Sequence, residues 1–185
     1  MQTTNSESSY FMRNKFSWTS LLEDNWKDIK AEMQLVLDQP DLLTYKNRWF
    51  LAHPHYVSSN NKEAWKTYEF YFFGIKQINH CLNCPKTYAL LKKIPDLVTA
   101  QFSVLSPKTI VEPHSGYSSM VLRSHLALEI PSKNLCKIKV ESQETSWTEG
   151  QVFTFDDSKV FTTCQQEPKG ASIVDVSSRK EIKFI

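Results

Sequence analysis

The stretch that decides the fold is Met120–Ile130, which reads MVLRSHLALEI and is ended by Pro131. Successive side chains of a β-strand point to opposite faces, so alternate residues share a face. One face of this stretch is formed by Leu122, Ser124, Leu126, Leu128 and Ile130, and the other by Val121, Arg123, His125, Ala127 and Glu129. The alternation predicts a strand that is mostly apolar on one side and carries Arg123 beside His125 on the other.

The polar pair Arg123 and His125 leaves two interpretations open. Two donor-rich side chains on the inner face of a barrel are costly unless they meet a ligand. Arginine binds carboxylates through its planar fork, so an inward face would indicate an anion site. An outward face would make both residues ordinary surface side chains, and periodicity alone does not choose between the two.

Further candidate site residues flank this strand. The segment before it reads EPHSG and places His114 at a strand end or turn, and Asp156-Asp157 follows an apolar run that ends at Phe155. A histidine, a fixed cation and an acidic turn on a β-rich scaffold are the parts expected of a non-haem iron site that binds an anionic cosubstrate. Taken alone, His114 is a loop histidine and Asp156-Asp157 is a turn.

The remaining pattern predicts a mainly β protein with helices at one side. One helix is predicted over residues 20–38, with Ser20 and Glu23 as a capping box, and a short one from Thr87 to Ile94. Strands are predicted at Tyr68–Phe73, Gln101–Leu105, Thr109–Glu112, Cys136–Val140, Gln151–Phe155, near Phe161 and at Ser172–Val176. Helices followed by many short strands favour a β-sandwich or barrel.

Composition limits the class of protein. The chain has 185 residues, of which 41% are hydrophobic, and a net charge of +2. This length fits a flexible tail at residues 1–15 and a single domain at residues 16–185. The mixed charges argue against a nucleic-acid partner. Because we find neither eighteen consecutive apolar residues nor a secretory signal, we expect no membrane partner and a cytoplasmic location.

Two short motifs are read mainly as structural. Cys81 and Cys84 form a CxxC pair, which is half a zinc site, a redox pair or two ordinary thiols near a helix start. A second CxxC or HxxxH motif is missing from the sequence, which favours ordinary thiols. His53 and His55 form an HxH pair that can bind metal, but an exposed loop is the favoured interpretation.

The stretch from Phe16 to Val176 resembles the aspartyl/asparaginyl β-hydroxylase family of Fe(II)- and 2-oxoglutarate-dependent oxygenases. The matching pieces occur in the family's order: Leu21–Ile29, Cys84–Thr87, Leu90–Pro95, Phe102–Pro107, Pro113–Gly116, Leu122–Pro131, Trp147–Gly150 and Phe155–Ser158. The resemblance implies a double-stranded β-helix, a cupin-like jelly roll, with N-terminal and flanking α-helices. It also implies hydroxylation of a C–H bond in an amino-acid or peptide substrate, and it leaves the oligomeric state open.

The resemblance assigns roles to five residues. His114 falls on the first iron ligand, and it is the metal-binding candidate. Arg123 and His125 fall on positions that hold the 2-oxoglutarate carboxylate near the metal, and with His114 they are the catalytic candidates. Ser103 falls on a hydroxyl that meets the far carboxylate. Lys169 is the nearest cation to an arginine that the family places near its final strand.

One position departs from the family's pattern. Phe161 stands where the second iron-binding histidine is expected, and the sequence has no histidine after His125. The candidate substitute ligands are Asp156, Asp157 and Cys164. Three hypotheses therefore stay open: an Fe(II)- and 2-oxoglutarate-dependent oxygenase, a non-catalytic relative that binds a small carboxylate or a peptide, and an enzyme with altered metal and chemistry. Fold alone does not choose among them.

Overall fold

Two antiparallel sheets face each other in the computed structural model, which describes residues 10–38, 48–52, 54–59, 61, 63–165 and 170–180. The strands are β1 (Phe50–Leu51), β2 (Val57–Ser58), β3 (Trp65–Phe72), β4 (Ile75–Lys76), β5 (Leu97–Leu105), β6 (Thr109–His114), β7 (Val121–Glu129), β8 (Cys136–Val140), β9 (Gln143–Ser146), β10 (Val152–Phe155), β11 (Phe161–Gln165) and β12 (Ala171–Arg179). The larger sheet has the order β1-β3-β5-β12-β7-β10, with β4 paired to β3, and the smaller has the order β2-β6-β11-β8-β9. From β5 onward the chain passes back and forth between the sheets, which makes the predicted double-stranded β-helix.

Helices cover the outer face of the larger sheet. They are α1 (Thr19–Asp24), α2 (Trp26–Asp38), α3 (Ile78–Asn83) and α4 (Pro85–Leu91). The apolar stripe of α2, with Ile29 and Met33 at its centre, shares a buried cluster with Leu126 of β7 and Phe102 of β5. Within the described part of the chain, every helix is too short or too polar to cross a lipid bilayer.

A buried carboxylate joins two of the helices. Glu32 on α2 accepts hydrogen bonds from the backbone N–H groups of Lys86, at 2.8 Å, and Thr87, at 2.7 Å. These N–H groups lie in the first turn of α4, where a helix has no acceptor of its own. A negative charge is also favoured there by the helix dipole. Glu32 therefore fixes α4 against α2.

The predicted helix over residues 20–38 is wrong in one respect, because it is two helices separated at Asn25. The predicted capping box is also absent. Glu23 instead accepts a 2.6 Å hydrogen bond from the backbone N–H of Val152, and the Ser20 hydroxyl donates to the carbonyl of Ser17. Because β10 is the last strand in the order of its sheet, the outward N–H of Val152 has no strand partner and needs another acceptor. The carboxylate of Glu23 therefore accepts from Val152 and does not cap the helix.

Residues 10–12 pack against the outer edge of the larger sheet. Met12 and Thr154 of β10 exchange two backbone hydrogen bonds, each 2.8 Å long. The ring of Phe11 contacts Phe153 edge-to-face, with centroids 5.4 Å apart. These residues therefore extend the larger sheet at its outer edge, whereas the first nine residues lie outside the described part of the chain.

The two faces of β7 have different surroundings, which decides whether Arg123 and His125 point inward or toward solvent. Leu122, Leu126 and Leu128 are buried against the helices. Arg123 and His125 lie on the opposite face and line a cavity between the two sheets. The fold therefore places both polar side chains inside the protein, and the solvated alternative is wrong.

Candidate functional site

A cavity of about 1250 Å³ lies between the two sheets. The larger sheet supplies its floor, and strand register decides which residues reach it. Glu69 of β3 is paired with Gln101 of β5, Gln101 with Asp175 of β12, and Asp175 with His125 of β7. Residues paired in this way share a face of the sheet. A continuous polar row therefore crosses four strands of the cavity floor.

Arg123 lies beside this row and holds two aspartates. Its Nε and Nη2 atoms donate to Oδ2 of Asp157, at 2.9 and 2.8 Å, and its Nη1 atom donates to Oδ2 of Asp175. The guanidinium side chain is 19% exposed, and the two carboxylates are almost fully buried. Charge-assisted bonds of this kind are among the strongest in proteins. Arg123 is thus already paired with anions from its own chain.

Burial sets the charge state of His125. The residue is 4% exposed, and its ring meets Trp147 in a stacked contact and Phe155 edge-on. Burial lowers the pKa of His125 to about 4, so the imidazole is neutral at pH 7. Its Nε2 atom is 4.0 Å from Oδ1 of Asp175, and its Nδ1 atom has no hydrogen-bond partner within the described residues.

His114 ends β6 at the side of the cavity. Its Nδ1 atom lies 2.8 Å from the carbonyl oxygen of Glu112. Because a carbonyl only accepts, Nδ1 carries the hydrogen and Nε2 of the neutral ring has a free lone pair. Aromatic rings surround the imidazole: Phe161 at 4.3 Å, Tyr56 at 5.2 Å and Trp65 at 6.4 Å between centroids.

Phe161 is fixed beside His114 by the strand register. The two residues are direct partners in the β6–β11 pair. The Phe161 side chain is buried, and its ring contacts Phe155 at 5.3 Å. A phenyl ring has no lone pair that can bind a metal. The position next to His114 is therefore apolar.

Ser103 joins the same cavity from β5. Its hydroxyl oxygen accepts a 2.8 Å hydrogen bond from the indole Nε1 of Trp65. The structure thus brings together the four predicted residues Ser103, His114, Arg123 and His125. The fifth, Lys169, lies outside the described residues.

The turn after His114 closely contacts Asp157. The N–H of Gly116 donates to the carbonyl oxygen of Asp157 at 2.6 Å, and a Cβ at position 116 would lie 2.3 Å from Oδ2 of Asp157. Only glycine fits such an approach. Burial raises the pKa of Asp157, and the attraction of Arg123 opposes this rise without cancelling it.

The other candidate ligands have different surroundings. Asp156 accepts a 2.7 Å bond from Nζ of Lys180 and another from the hydroxyl of Ser158. The side chain of Cys164 lies outside the described part. The described His, Cys, Asp and Glu side chains form no group of three that could hold a metal ion.

The CxxC thiols are remote from this cavity. Cys81 and Cys84 are buried between the helices and the larger sheet. Burial raises the pKa of Cys81 to about 11 and that of Cys84 further. Both thiols are therefore protonated and unreactive at pH 7, which agrees with a structural role.

Sequence reasoning missed several residues of the site: Tyr56, Trp65, Glu69, Gln101 and Asp175. Glu69 and Asp175 each lie within a predicted strand, two positions from another cavity residue, Thr67 or Ile173. The period-two pattern was the available signal. That pattern alone does not show that Glu69 and Asp175 belong to one polar row, because the row depends on the register between strands.

Two facing sheets around a cavity with polar residues on its floor define the protein as a cupin-like jelly roll. The sequence profile described as Aspartyl/Asparaginyl beta-hydroxylase matches residues 23–169. This chain belongs to the aspartyl/asparaginyl β-hydroxylase family.

Similar proteins agree with that assignment. The chain is 32% identical over 170 residues to the ornithine lipid ester-linked acyl 2-hydroxylase of Rhizobium tropici, a match that covers 91% of this chain and 59% of the relative. It is 36% identical over 142 residues to the aspartyl/asparaginyl beta-hydroxylase of Mus musculus, covering 74% of this chain and 18% of the relative. The chain thus spans only part of the length of these relatives.

A solved structure supports the fold. The prolyl-4-hydroxylase of Pseudomonas putida superposes with a TM-score of 0.53 at 10% identity, covering 94% of this chain and 95% of the other. At this identity the match concerns the fold alone.

The family implies Fe(II) and 2-oxoglutarate, and the residues present do not fit the metal. A non-haem iron site of the common type needs two histidines and a carboxylate. Two histidines line the cavity, His114, whose strand partner is the apolar Phe161, and His125, but the described His, Cys, Asp and Glu side chains form no group of three that could hold a metal ion. The nearby carboxylate of Asp157 is engaged by Arg123. Next to Phe161, His114 therefore has no second metal ligand as its strand partner.

Proposed function

We propose that this chain is a member of the β-hydroxylase family that binds a small polar ligand between its sheets and has lost the iron centre. The observation that carries the proposal is the contact between Phe161 and His114, whose rings lie 4.3 Å apart. A single imidazole beside a phenyl ring binds Fe(II) far more weakly than a set of two or three nitrogen and oxygen ligands. The cavity itself remains large, is lined by both sheets and keeps a row of polar side chains on its floor.

The candidate substitute ligands support this proposal. Asp157 would have to leave Arg123 in order to reach a metal, and Asp156 would have to leave Lys180 and Ser158. For the buried pair of Asp157 and Arg123, removing one partner costs about 3–5 kcal/mol, whereas the half-buried pair of Asp156 and Lys180 costs less to break. A metal would have to offset that cost with an incomplete ligand set.

A second candidate function is hydroxylation of a C–H bond with Fe(II) and 2-oxoglutarate. The observation in its favour is that Ser103, His114, Arg123 and His125 all line one cavity. The named relatives suggest two substrate classes, an amino-acid residue in a peptide and a lipid-linked acyl chain. For this function, the metal site would need a further ligand that the described residues do not supply.

The experiment that separates the two functions measures metal binding and turnover together. Fe(II) is titrated anaerobically into the wild-type protein and into the variants H114A, F161H and F161L. Succinate release from 2-oxoglutarate is then measured in air. F161L is the matched control, since it removes the ring without adding a nitrogen ligand.

We expect wild type, H114A and F161L to bind Fe(II) equally weakly and to release no succinate. F161H should bind Fe(II) at least about tenfold more tightly, because it supplies a second nitrogen beside His114. Wild-type succinate release that H114A abolishes would overturn the binding function and establish the oxygenase.

A further inference from the structure

The charge of the cavity floor does not suit an anionic ligand. Three carboxylates line the cavity floor, on Glu69, Asp157 and Asp175, and Arg123 is the cation that binds two of them. Arg179 and Lys180 also line the cavity together with Asp96, but Arg179 is exposed and Lys180 pairs with Asp156. Asp157 and Asp175 each bind that guanidinium through one oxygen and leave Oδ1 without a hydrogen-bond partner among the described residues. His125 is neutral and adds no positive charge. The floor therefore carries an excess of negative charge.

Glu69 is the carboxylate of the cavity floor that a ligand can reach. Its half-buried side chain faces the cavity from the exposed end of the polar row, and it has no ion-pair partner in the described part of the chain. Burial raises the pKa of Glu69. A carboxylate in this position is stabilised by a cation that enters the cavity.

The walls of the cavity add a second attraction for cations. Tyr56, Trp65 and Phe161 surround His114, and Phe72, Phe73 and Tyr117 line the outer part. The faces of aromatic rings attract organic cations, and tryptophan does so most strongly. Since Trp65 is held by its hydrogen bond to Ser103, the indole is already fixed before a ligand arrives.

The aromatic ring of Trp65 and the carboxylate of Glu69 come from the same strand, β3. Trp65, Thr67 and Glu69 are alternate residues of β3, and all three line the cavity. A strand rises about 3.3 Å per residue, so Trp65 and Glu69 are about 13 Å apart along it. A ligand with an apolar body and a charged end can meet both.

We propose that this cavity binds an organic cation, an ammonium group on an apolar body, with Glu69 and Asp175 as its counter-charges and Trp65 as its aromatic wall. This inference rests on the proposed function, because it names the ligand class of the same cavity. A dianion such as 2-oxoglutarate would have to displace Asp157 or Asp175 from Arg123 and then remain close to both. A cation leaves these pairs intact.

The test uses two probes of the same shape, choline and its uncharged isostere 3,3-dimethylbutan-1-ol, together with 2-oxoglutarate. Each is titrated calorimetrically into the wild-type protein, with EDTA and separately with Mn(II). The variant E69Q removes the negative charge and keeps the size of the side chain. E144Q is the matched control, because Glu144 lies on β9 and does not line the cavity.

We expect choline to bind about tenfold more tightly than the alcohol, and 2-oxoglutarate to bind more weakly than both. E69Q should weaken choline about fivefold or more while leaving the alcohol unchanged, and E144Q should change neither. Thermal unfolding of each variant verifies the fold.

Three results would overturn the inference: no choline binding at millimolar concentration, equal affinity for choline and the alcohol, or tighter binding of 2-oxoglutarate in either buffer. Succinate release by wild type would remove the proposed function and leave a measured preference for choline standing. The two failures are therefore distinguishable.

Discussion

Asp175 lies directly opposite His125 across the β7–β12 pair, and its Oδ1 atom is 4.0 Å from the imidazole Nε2. Its other oxygen, Oδ2, accepts hydrogen bonds from both Arg123 and Gln101. One aspartate thus contacts a cation, an amide and a neutral imidazole at the centre of the cavity floor. The charge balance of the site depends on this residue.

Replacing Asp175 with asparagine should destabilise the protein. D175N keeps the size of the side chain and removes the charge that faces a buried guanidinium. We expect the free energy of unfolding to fall by about 1–3 kcal/mol, the usual cost of weakening a buried hydrogen bond to a charged group. Urea unfolding at pH 7 measures the change. The exposed Asp24 provides the control D24N, which should change the free energy by less than about 0.5 kcal/mol.

Acid should weaken the fold through His125. Its pKa is about 4 in the folded protein and 6.5 in the reference state, so the unfolded chain binds more protons between these values. Stability therefore falls as the pH drops from 6.5 towards 4, by up to about 3 kcal/mol, and this contribution levels off below pH 4. Urea unfolding from pH 7.5 to 4 should show the loss in wild type and a reduced loss in H125N. Identical pH slopes in both proteins would contradict the assignment.

The contact between Gly116 and Asp157 makes position 116 intolerant of any side chain. In G116A the new methyl group would meet Asp157 Oδ2 at 2.3 Å, so the turn or the carboxylate must move. We expect a loss of about 1–3 kcal/mol in stability, as in other overpacked sites, measured by urea unfolding. The exposed neighbour gives the control S115A, which should behave like wild type. Wild-type stability of G116A would show that the turn can move freely.

Glu32 should be essential for docking α4. In E32A the N–H groups of Lys86 and Thr87 lose their acceptor inside a buried contact. The expected loss is about 2–4 kcal/mol, since one buried and one part-buried donor become unsatisfied. D28A is the control, because Asp28 is exposed on the same helix and, among the residues that the structure describes, pairs with the Nζ of Lys86 alone. Equal urea midpoints for the two variants would refute this role.

The fold could be predicted largely from sequence, because its strands follow local alternation. The period-two pattern of Met120–Ile130 corresponds to β7 at Val121–Glu129, and Cys136–Val140 agrees with β8 at both ends. The helix break at Asn25 could not be predicted, because the acceptor role of Glu23 depends on a strand that lies far away in sequence.

The site could be predicted only in part. The sequence predicts Ser103, His114, Arg123 and His125 as site residues, and the structure places all four in one cavity, while their individual roles stay predictions. The pairing of Arg123 with Asp175, 52 positions later, depends on the register of two strands that no local pattern specifies. The charge balance of the cavity floor therefore depends on strand register and could not be predicted from local sequence.

The two hydrogen bonds between Met12 and Thr154 have a further consequence for the larger sheet. A chain lacking Met12 would leave the N–H and C=O of Thr154 open on the outermost strand. Bare strand edges act as templates on which a second copy adds its own strand. By pairing with Thr154, Met12 covers this strand edge and disfavours edge-to-edge association of two copies.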